Sequence, residues 1–544
     1  MAAISQVPGK TESRNEFAAR FDEWLQAHSP WAVLGVLFAA FAVRFYAAWG
    51  TFLNPDEALH VRLANHLTWA DAYHASLTSA HPPGLILLLY FWRDLGTSEI
   101  LLRVPSIIAG TAFCWVMFKW IERLFGTTAA WVGLLLSAFL PPMIELSSQV
   151  RQYALLLLFI ACALYFLEIA LDRNSTAWML LSAGSLYLAL LMHYSGFLFA
   201  AAFYIYGFTR FLSGGIARFF LATWFISGCG VLALFAYFYR THLSRLPKTA
   251  MAAEAMQGWM RNSYYHPGHD HILSFSFART GGVFQFIFGQ LALGDIAFVG
   301  FVIAVVMLIR NRSRSKSASW QLAILFTAPF VINDAAAIAG LYPYGGTRHS
   351  VFIAPMILAA FGFLMATTLR QKTAPAVICA LVIISIASLF GHPHKPYMTR
   401  SGQNRQHMVD AVSFVERQVP PSEVVFTDYE SGLLLSHYLC HQNATVFDHS
   451  VQGFEQFHCG KHVIAAFPGP MLFSAESFSR KWGLLADRFN LKPGETVWLV
   501  QAGGDTISAA FLLGNSGVKL DADYNFGQNI AVSRLTVTSH RTAE

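Results

Sequence analysis

The sequence predicts a mostly α-helical, polytopic membrane protein with a small α/β domain at its C-terminal end. Three observations carry this. The 544 residues are 55% hydrophobic and only 12% charged, and mean hydropathy is +0.45, far from the balance of a soluble domain. Apolar runs of about 20 residues, long enough to span a bilayer as helices, recur along most of the chain. Past residue 394 the pattern changes to short β-rich runs alternating with amphipathic stretches.

Eleven apolar runs are expected to span, near 31–50, 100–120, 128–144, 152–171, 177–193, 195–212, 217–239, 284–309, 319–341, 350–369 and 374–391. Residues 1–29 are polar, and no small-residue cleavage site follows the first run, so that run is expected to be a retained anchor. Lysine and arginine set the orientation. With the N-terminus inside, inner loops hold Lys119 and Arg123, Arg173, Arg210 and Arg218, Arg370 and Lys372, and the dense cluster Arg310, Arg312, Arg314 and Lys316. Eleven spans then put the C-terminus outside. The net charge of +6 is therefore a topology signal rather than a nucleic-acid signal. Three parts follow: an inner tail (1–29), a membrane body (30–394) and an outer α/β domain (395–544), entered through the polar segment 391–396.

In the outer domain, Val424–Phe426, Ala444–Phe447, Val463–Phe467 and Val497–Val500 read as strands. The stretch leading to Leu439, and Ser474–Phe489, read as helices. Cys440 and Cys459 lie in this domain, where an oxidising compartment would permit a disulfide; spacing leaves the pairing open. The other four cysteines fall in spans as small apolar residues. No nucleotide-binding glycine motif, Walker loop or Ser-His-Asp order stands out. No span carries several charges at its centre, as an ion pathway would.

Two outer loops are long, and long loops on a rigid scaffold are where binding and catalysis concentrate. The first, 51–99, opens with Asn54-Pro55-Asp56-Glu57. Neighbours on a helix point about 100° apart, so only one of the two carboxylates faces a given site. One reading is a general base within reach of a hydroxyl; the plain alternative is a helix cap. Glu57–Ala70 has helical periodicity, with Leu59, Leu63 and Leu67 in one stripe, and is expected to lie along the membrane surface. The loop closes with His81-Pro82-Pro83-Gly84, a rigid approach to the next apolar run. There His81 either contacts an anion or metal or is incidental.

Arg151, in Ser147–Tyr153, stands at the outer end of a span, against the inner bias. It either snorkels to headgroups or grips a lipid-linked phosphate with its planar fork. Arg348, in Tyr342–His349, poses the same choice. His266, His269 and Asp270 of the second long loop, 240–283, have the side-chain types of a divalent-metal site; a polar loop with satisfied histidines is the alternative. His193, at a span end, reads as interfacial.

Together these motifs resemble the polytopic GT-C glycosyltransferases, in the dolichyl-phosphate-mannose protein mannosyltransferase-like and aminoarabinose lipid A transferase-like branch. The residues that carry the resemblance are Pro55-Asp56-Glu57, His81-Pro82-Pro83, Arg151-Gln152-Tyr153, and Tyr342 to Pro355 with Arg348; it covers roughly residues 30–395. It implies a polyprenyl-phosphate sugar donor and an acceptor hydroxyl reached from the extracytoplasmic face, on a glycolipid, polysaccharide or protein. It also implies inversion at the anomeric carbon and the base role at Asp56. Arg151 and Arg348 would bind the donor phosphate. Glu57, His81, Tyr153 and Tyr344 would bind substrate or support the groups that do. Where the aminoarabinose branch often has an acid and a lysine before the proline pair, this chain has Ala80 and His81, a departure that weakens the carry-over of a divalent metal ion and of that substrate. A flippase for lipid-linked glycans is the alternative function; it would need polar groups along the middle of the spans.

Overall fold

The computed structural model describes residues 11–212, 218–246, 255–256, 258–310, 319–391, 402–440, 448–451, 454–467, 475–504 and 517–538. Its contacts divide the chain into two compact units.

The first unit comprises Met1–Ala47, Val104–Arg240 and Asn262–His394 and is helical. Among the described residues, eight helices of the whole chain are long and apolar enough to cross a membrane: Ser29–Ala48, Glu99–Phe125, Tyr153–Arg173, Phe219–Leu243, Leu291–Arg310, Trp320–Ile338, Arg348–Thr368 and Thr373–Phe390. Three shorter apolar helices, Thr127–Phe139, Thr176–Met192 and Ile272–Phe288, accompany them. Two of the eleven expected runs are broken, each for a local reason. The run near 284–309 is cut where Gly289, at φ 68°, ends helix Ile272–Phe288 in a left-handed cap. Most of that helix falls in what the sequence suggested was loop. The run near 128–144 stops at Phe139, because Pro141 starts a new short helix, Pro141–Leu146. The Arg312–Lys316 cluster used for orientation lies outside the described residues.

A buried cation ties this unit together. Arg44 is 1% exposed, and a charge taken out of water needs partners on every donor. Its Nε donates to Ser147 Oγ at 2.7 Å. Nη1 donates to the carbonyls of Ala138 (2.9 Å) and Ala40 (3.1 Å), and Nη2 to that of Ser137 (2.9 Å). Gly110 makes the meeting possible: a Cβ there would sit 2.3 Å from Ser147 Cβ. Small residues let membrane helices approach this closely.

The second unit comprises Ala48–Arg103, Thr241–Arg261 and Lys395–Glu544. The long first loop thus packs with the C-terminal domain, a grouping that the linear division at 394/395 does not show. Seven strands form one sheet: β1 (Val424–Thr427), β2 (Asp448–Val451), β3 (Phe454–Cys459), β4 (His462–Ala466), β5 (Thr496–Ala502), β6 (Val518–Asn525) and β7 (Ile530–Val537). The order is β2-β3-β4-β1-β5-β7-β6. β1 pairs in parallel with β4 and β5, and the outer pairs are antiparallel. β1 is buried along its whole length, as expected of a central parallel strand. Phe426, Leu499, Leu535 and Val537 form a core with Phe478, Trp482 and Leu485 of helix Ala475–Arg488. Three strands and both helices expected here are present within a residue or two. The expected strand Ala444–Phe447 lies outside the described residues. Helix Arg405–Gln418 and strands β2, β3, β6 and β7 were not anticipated. Cys440 and Cys459 are joined as a disulfide.

The first loop carries helices Pro55–Ala64, Trp69–Ser76 and Gly84–Trp92. The single amphipathic stretch expected over 57–70 is two helices. Asn65 ends the first, and Thr68 caps the second by accepting from the Asp71 N–H. Leu67, expected on the apolar stripe, sits in the break and is 96% exposed. Backbone pairing holds the loop's start: Phe52 N donates to Gln403 O at 2.9 Å and Arg405 N to Gly50 O at 2.9 Å. Gly503, at φ 95°, lies where a Cβ would meet Pro55 at 2.6 Å and Leu434 at 2.7 Å.

Candidate functional site

In the second unit, the adjacent carboxylates Asp56 and Glu57 have separate fates. Asn54 caps helix Pro55–Ala64: its Oδ1 accepts from Glu57 N at 2.9 Å, and Glu57 Oε2 accepts from Asn54 N at 2.9 Å. This reciprocal capping box satisfies two otherwise orphaned donors. Glu57 is also fully buried against Arg103, 1% exposed. The guanidinium gives it two parallel bonds, Nε to Oε1 at 2.8 Å and Nη2 to Oε2 at 2.7 Å, the fork geometry arginine favours. The remaining donors reach the carbonyls of Ala48, Thr51 and Phe52 and the Thr51 hydroxyl, at 2.7–3.0 Å. Glu57 is therefore committed to the frame. The helix-cap reading describes it.

Asp56 is half-buried and points away from that pair by one helical step. Its backbone carbonyl accepts from His60 Nδ1 at 2.6 Å, as Nδ1–H. The His60 and His81 rings stack at 5.7 Å, so the two ends of the first loop meet. His81 lies beside the start of helix Gly84–Trp92, as the Pro-Pro turn suggests. Tyr429 stands close enough to Asp56 to feel its charge. Burial, with help from Glu455 and Asp56, pushes the Tyr429 phenol up to about 12, against the pull of Arg62.

In the first unit, a second group of polar side chains forms where helix Tyr153–Arg173 begins. Arg151 is 2% exposed, and Gln152 and Tyr153 are 0% exposed. A snorkelling arginine would show its head to solvent; this one does not. Its carbonyl accepts from Ser106 Oγ at 3.1 Å, and its guanidinium lies 5.6 Å over the Tyr153 ring. His193 is 2% exposed. Its ring lies 5.2 Å from Tyr153, 6.4 Å from Tyr342 and 6.1 Å from His349. Arg348 is half-buried in the turn Arg348–Ile353. It lies near enough to His193 to act on it electrostatically, as does Arg151, while Glu145 lies within reach of Arg348. Burial first, then His349 and these two arginines, holds the His193 imidazole well below its usual range.

Of the two tyrosines in the Tyr342–His349 segment, Tyr342 joins this group. Tyr344 is fully buried, with its hydroxyl 2.7 Å from Thr280 Oγ1. Of His266, His269 and Asp270, only the first and last are paired. Asp270 Oδ2 accepts from the His266 backbone N–H at 2.8 Å and pairs with its ring at 3.4 Å, closing a turn. Among the described residues, no group of three or more His, Cys, Asp or Glu side chains is placed to hold a metal ion.

Sequence reading missed Arg44 and Arg103. Both lie inside apolar runs, where a charge is expensive and so is a signal in itself. It also placed His193 at an interface, and the structure buries it among aromatic and cationic groups.

Residues 80–239 match the family model described as dolichyl-phosphate-mannose-protein mannosyltransferase. Among curated proteins, none matches the sequence. The fold is similar to that of ArnT from Cupriavidus metallidurans in two crystal structures. The one bound to undecaprenyl phosphate is 14% identical with a TM-score of 0.54, and the apo one is 12% identical with a TM-score of 0.52. Each likeness covers 93% of this chain and 98% of that one. An Archaeoglobus fulgidus oligosaccharyltransferase tethered to an acceptor peptide is 12% identical at a TM-score of 0.48, over 88% of this chain and 69% of that one. The resemblance to GT-C glycosyltransferases therefore holds at the level of the fold, and a family model of that class matches one segment.

Proposed function

We propose that this chain is an integral membrane glycosyltransferase. It transfers a hexosyl or pentosyl group from a polyprenyl-phosphate donor to an acceptor hydroxyl, on the extracytoplasmic face of what is best read as a bacterial inner membrane. Asp56 is the general base. The observation that carries this reading is the split within the acidic pair. Glu57 is buried, capped and doubly bonded to Arg103, whereas Asp56 stays partly accessible beside His60 and Tyr429.

The chemistry is balanced without a general acid. Asp56 takes the acceptor proton as the oxygen attacks the anomeric carbon. The bond from that carbon to the phosphate oxygen breaks, the configuration inverts, and polyprenyl phosphate leaves. A phosphate is already a weak base, unlike the alkoxide leaving group for which inverting glycosidases supply an acid. Arg151 and Arg348 offset the charge that grows on the departing oxygen. The acceptor class, whether glycolipid, polysaccharide or protein, is set by contacts outside this step.

The test compares cell-envelope glycolipids and glycoproteins by mass spectrometry in a deletion strain carrying wild-type or variant genes. A glycan lost on deletion returns with wild type and stays absent with Asp56→Asn or Asp56→Ala, although both variants insert at wild-type levels. Removing a positioned base costs about 10²–10⁴ in rate. Arg151→Ala and Arg348→Ala each leave partial product. Full restoration by Asp56→Asn defeats the assignment of the base.

A further inference from the structure

His193 is positioned by hydrogen bonds that fix where its proton lies. The Ser195 backbone N–H donates to His193 Nδ1 at 3.3 Å. A backbone N–H can only donate, so Nδ1 is the acceptor. Ser195 Oγ, 2.8 Å from the same nitrogen, can add a second donor. With Nδ1 accepting, the neutral ring carries its hydrogen on Nε2. The ring stays neutral because it is buried beside two guanidiniums and His349.

A second observation comes from the adjoining motif. Tyr153 is 0% exposed, and its hydroxyl has no hydrogen-bond partner among the described residues. The same holds for both amide atoms of Gln152. An unsatisfied buried hydroxyl is costly, and the ring that bears this one lies 5.2 Å from the His193 ring, centroid to centroid. Donors of this kind, beside Arg151, suit an anion with several acceptor oxygens.

We infer that His193, as a neutral Nε2–H donor, and Tyr153, through its hydroxyl, bind the phosphate of a polyprenyl-linked ligand. The inference rests on the glycosyl-transfer reading and deepens it. A donor phosphodiester carries one negative charge, and the departing phosphate gains a second as the sugar bond breaks. Neutral donors strengthen toward that oxygen in the transition state without adding a third fixed cation that would hold the product.

The probe is undecaprenyl phosphate, with undecaprenol as the phosphate-free control, titrated into the full-length protein in nanodiscs. Wild type should prefer the phosphate lipid. Tyr153→Phe keeps the ring and removes only the hydroxyl. It should bind undecaprenyl phosphate about 10-fold more weakly, the loss expected of one hydrogen bond to a charged group, and melt no lower than wild type. His193→Phe should lose a similar factor, while His193→Gln, which still presents an N–H, should stay within about threefold. If wild type does not distinguish the two lipids, the phosphate-donor reading itself falls. If wild type distinguishes them but Tyr153→Phe and His193→Phe bind as wild type does, that reading stands and this inference is overturned. A loss in His193→Gln equal to that in His193→Phe overturns the donor role of the imidazole.

Discussion

Two neighbouring carboxylates separated by a single backbone step can be told apart by what removing each would do. Glu57 lies in a dry site with a bidentate partner, Arg103, and the pair's side chains are 0% and 1% exposed. Breaking a buried pair leaves an uncompensated charge, at a cost of about 3–5 kcal/mol. Arg103→Ala should therefore lower the thermal unfolding midpoint in detergent micelles sharply, and Glu57→Gln should do so to a lesser degree. Asp56→Asn should leave the midpoint within error. Equal midpoints for Arg103→Ala and wild type would contradict the framing role of the pair. The dipeptide alone gave the sequence no means to make this distinction, because a cap and a base use the same residue types. Only the family pattern preferred Asp56. Arg103 was legible in principle, as a charge inside an apolar run. His193 was not, because its neighbours come from segments 153, 342 and 349, which no local pattern links.

At the scale of elements, the strand and helix patterns around β1 were readable, and the breaks in long apolar runs were not. A single Gly289 in a left-handed cap, or Pro141 opening a new helix, leaves hydropathy unchanged while splitting a run in two. The N-cap after β1 carries a prediction of its own. Asp428 caps helix Tyr429–Tyr438, its Oδ1 accepting from Ser431 N at 2.9 Å. The side chain is 0% exposed, and burial pushes its carboxyl up to about 7, against the hydrogen bonds from Ser431. The unfolded chain would lose that proton near pH 4. Between those values the folded state holds more protons than the unfolded one, so stability falls as pH rises and then levels off above about 7. Asparagine caps as well as aspartate and does not ionise. Asp428→Asn should raise the unfolding midpoint more at pH 8 than at pH 5. A variant-minus-wild-type difference that is flat over this range would show that Asp428 ionises normally in the fold.

Across the whole molecule, the division of labour does not follow the order of the chain. The segment bearing Asp56 belongs to the same compact unit as residues from 395 onward, and the links are specific. Thr51 bridges Asn404 in antiparallel fashion. Tyr438 Oη accepts from Leu53 N at 2.7 Å, the residue before the Asn54 cap, and donates to Glu99 at 3.2 Å. Arg405 reaches the same Glu99 carboxylate at 2.9 Å, and Arg62 pairs with Glu455 at 2.9 Å. The last of these is partly exposed and contributes little by itself. The half-buried Tyr438 contact is the more telling, since it holds the residue just before the Asp56 helix. The C-terminal domain thus acts on the proposed base through the backbone of residues 50–54. Removing residues 396–544 is then expected to abolish transfer even if that domain never touches an acceptor, so truncation cannot separate an acceptor-recognising domain from a scaffold. Tyr438→Phe can. Loss of one hydroxyl that holds a base-bearing backbone should lower kcat several-fold, since a misplacement of about 1 Å costs about 10²-fold. It should leave the affinity for undecaprenyl phosphate unchanged. A variant with wild-type kcat would mean that the Asp56 helix is held without this contact. One with weakened lipid binding would mean that the C-terminal domain serves the donor rather than the base.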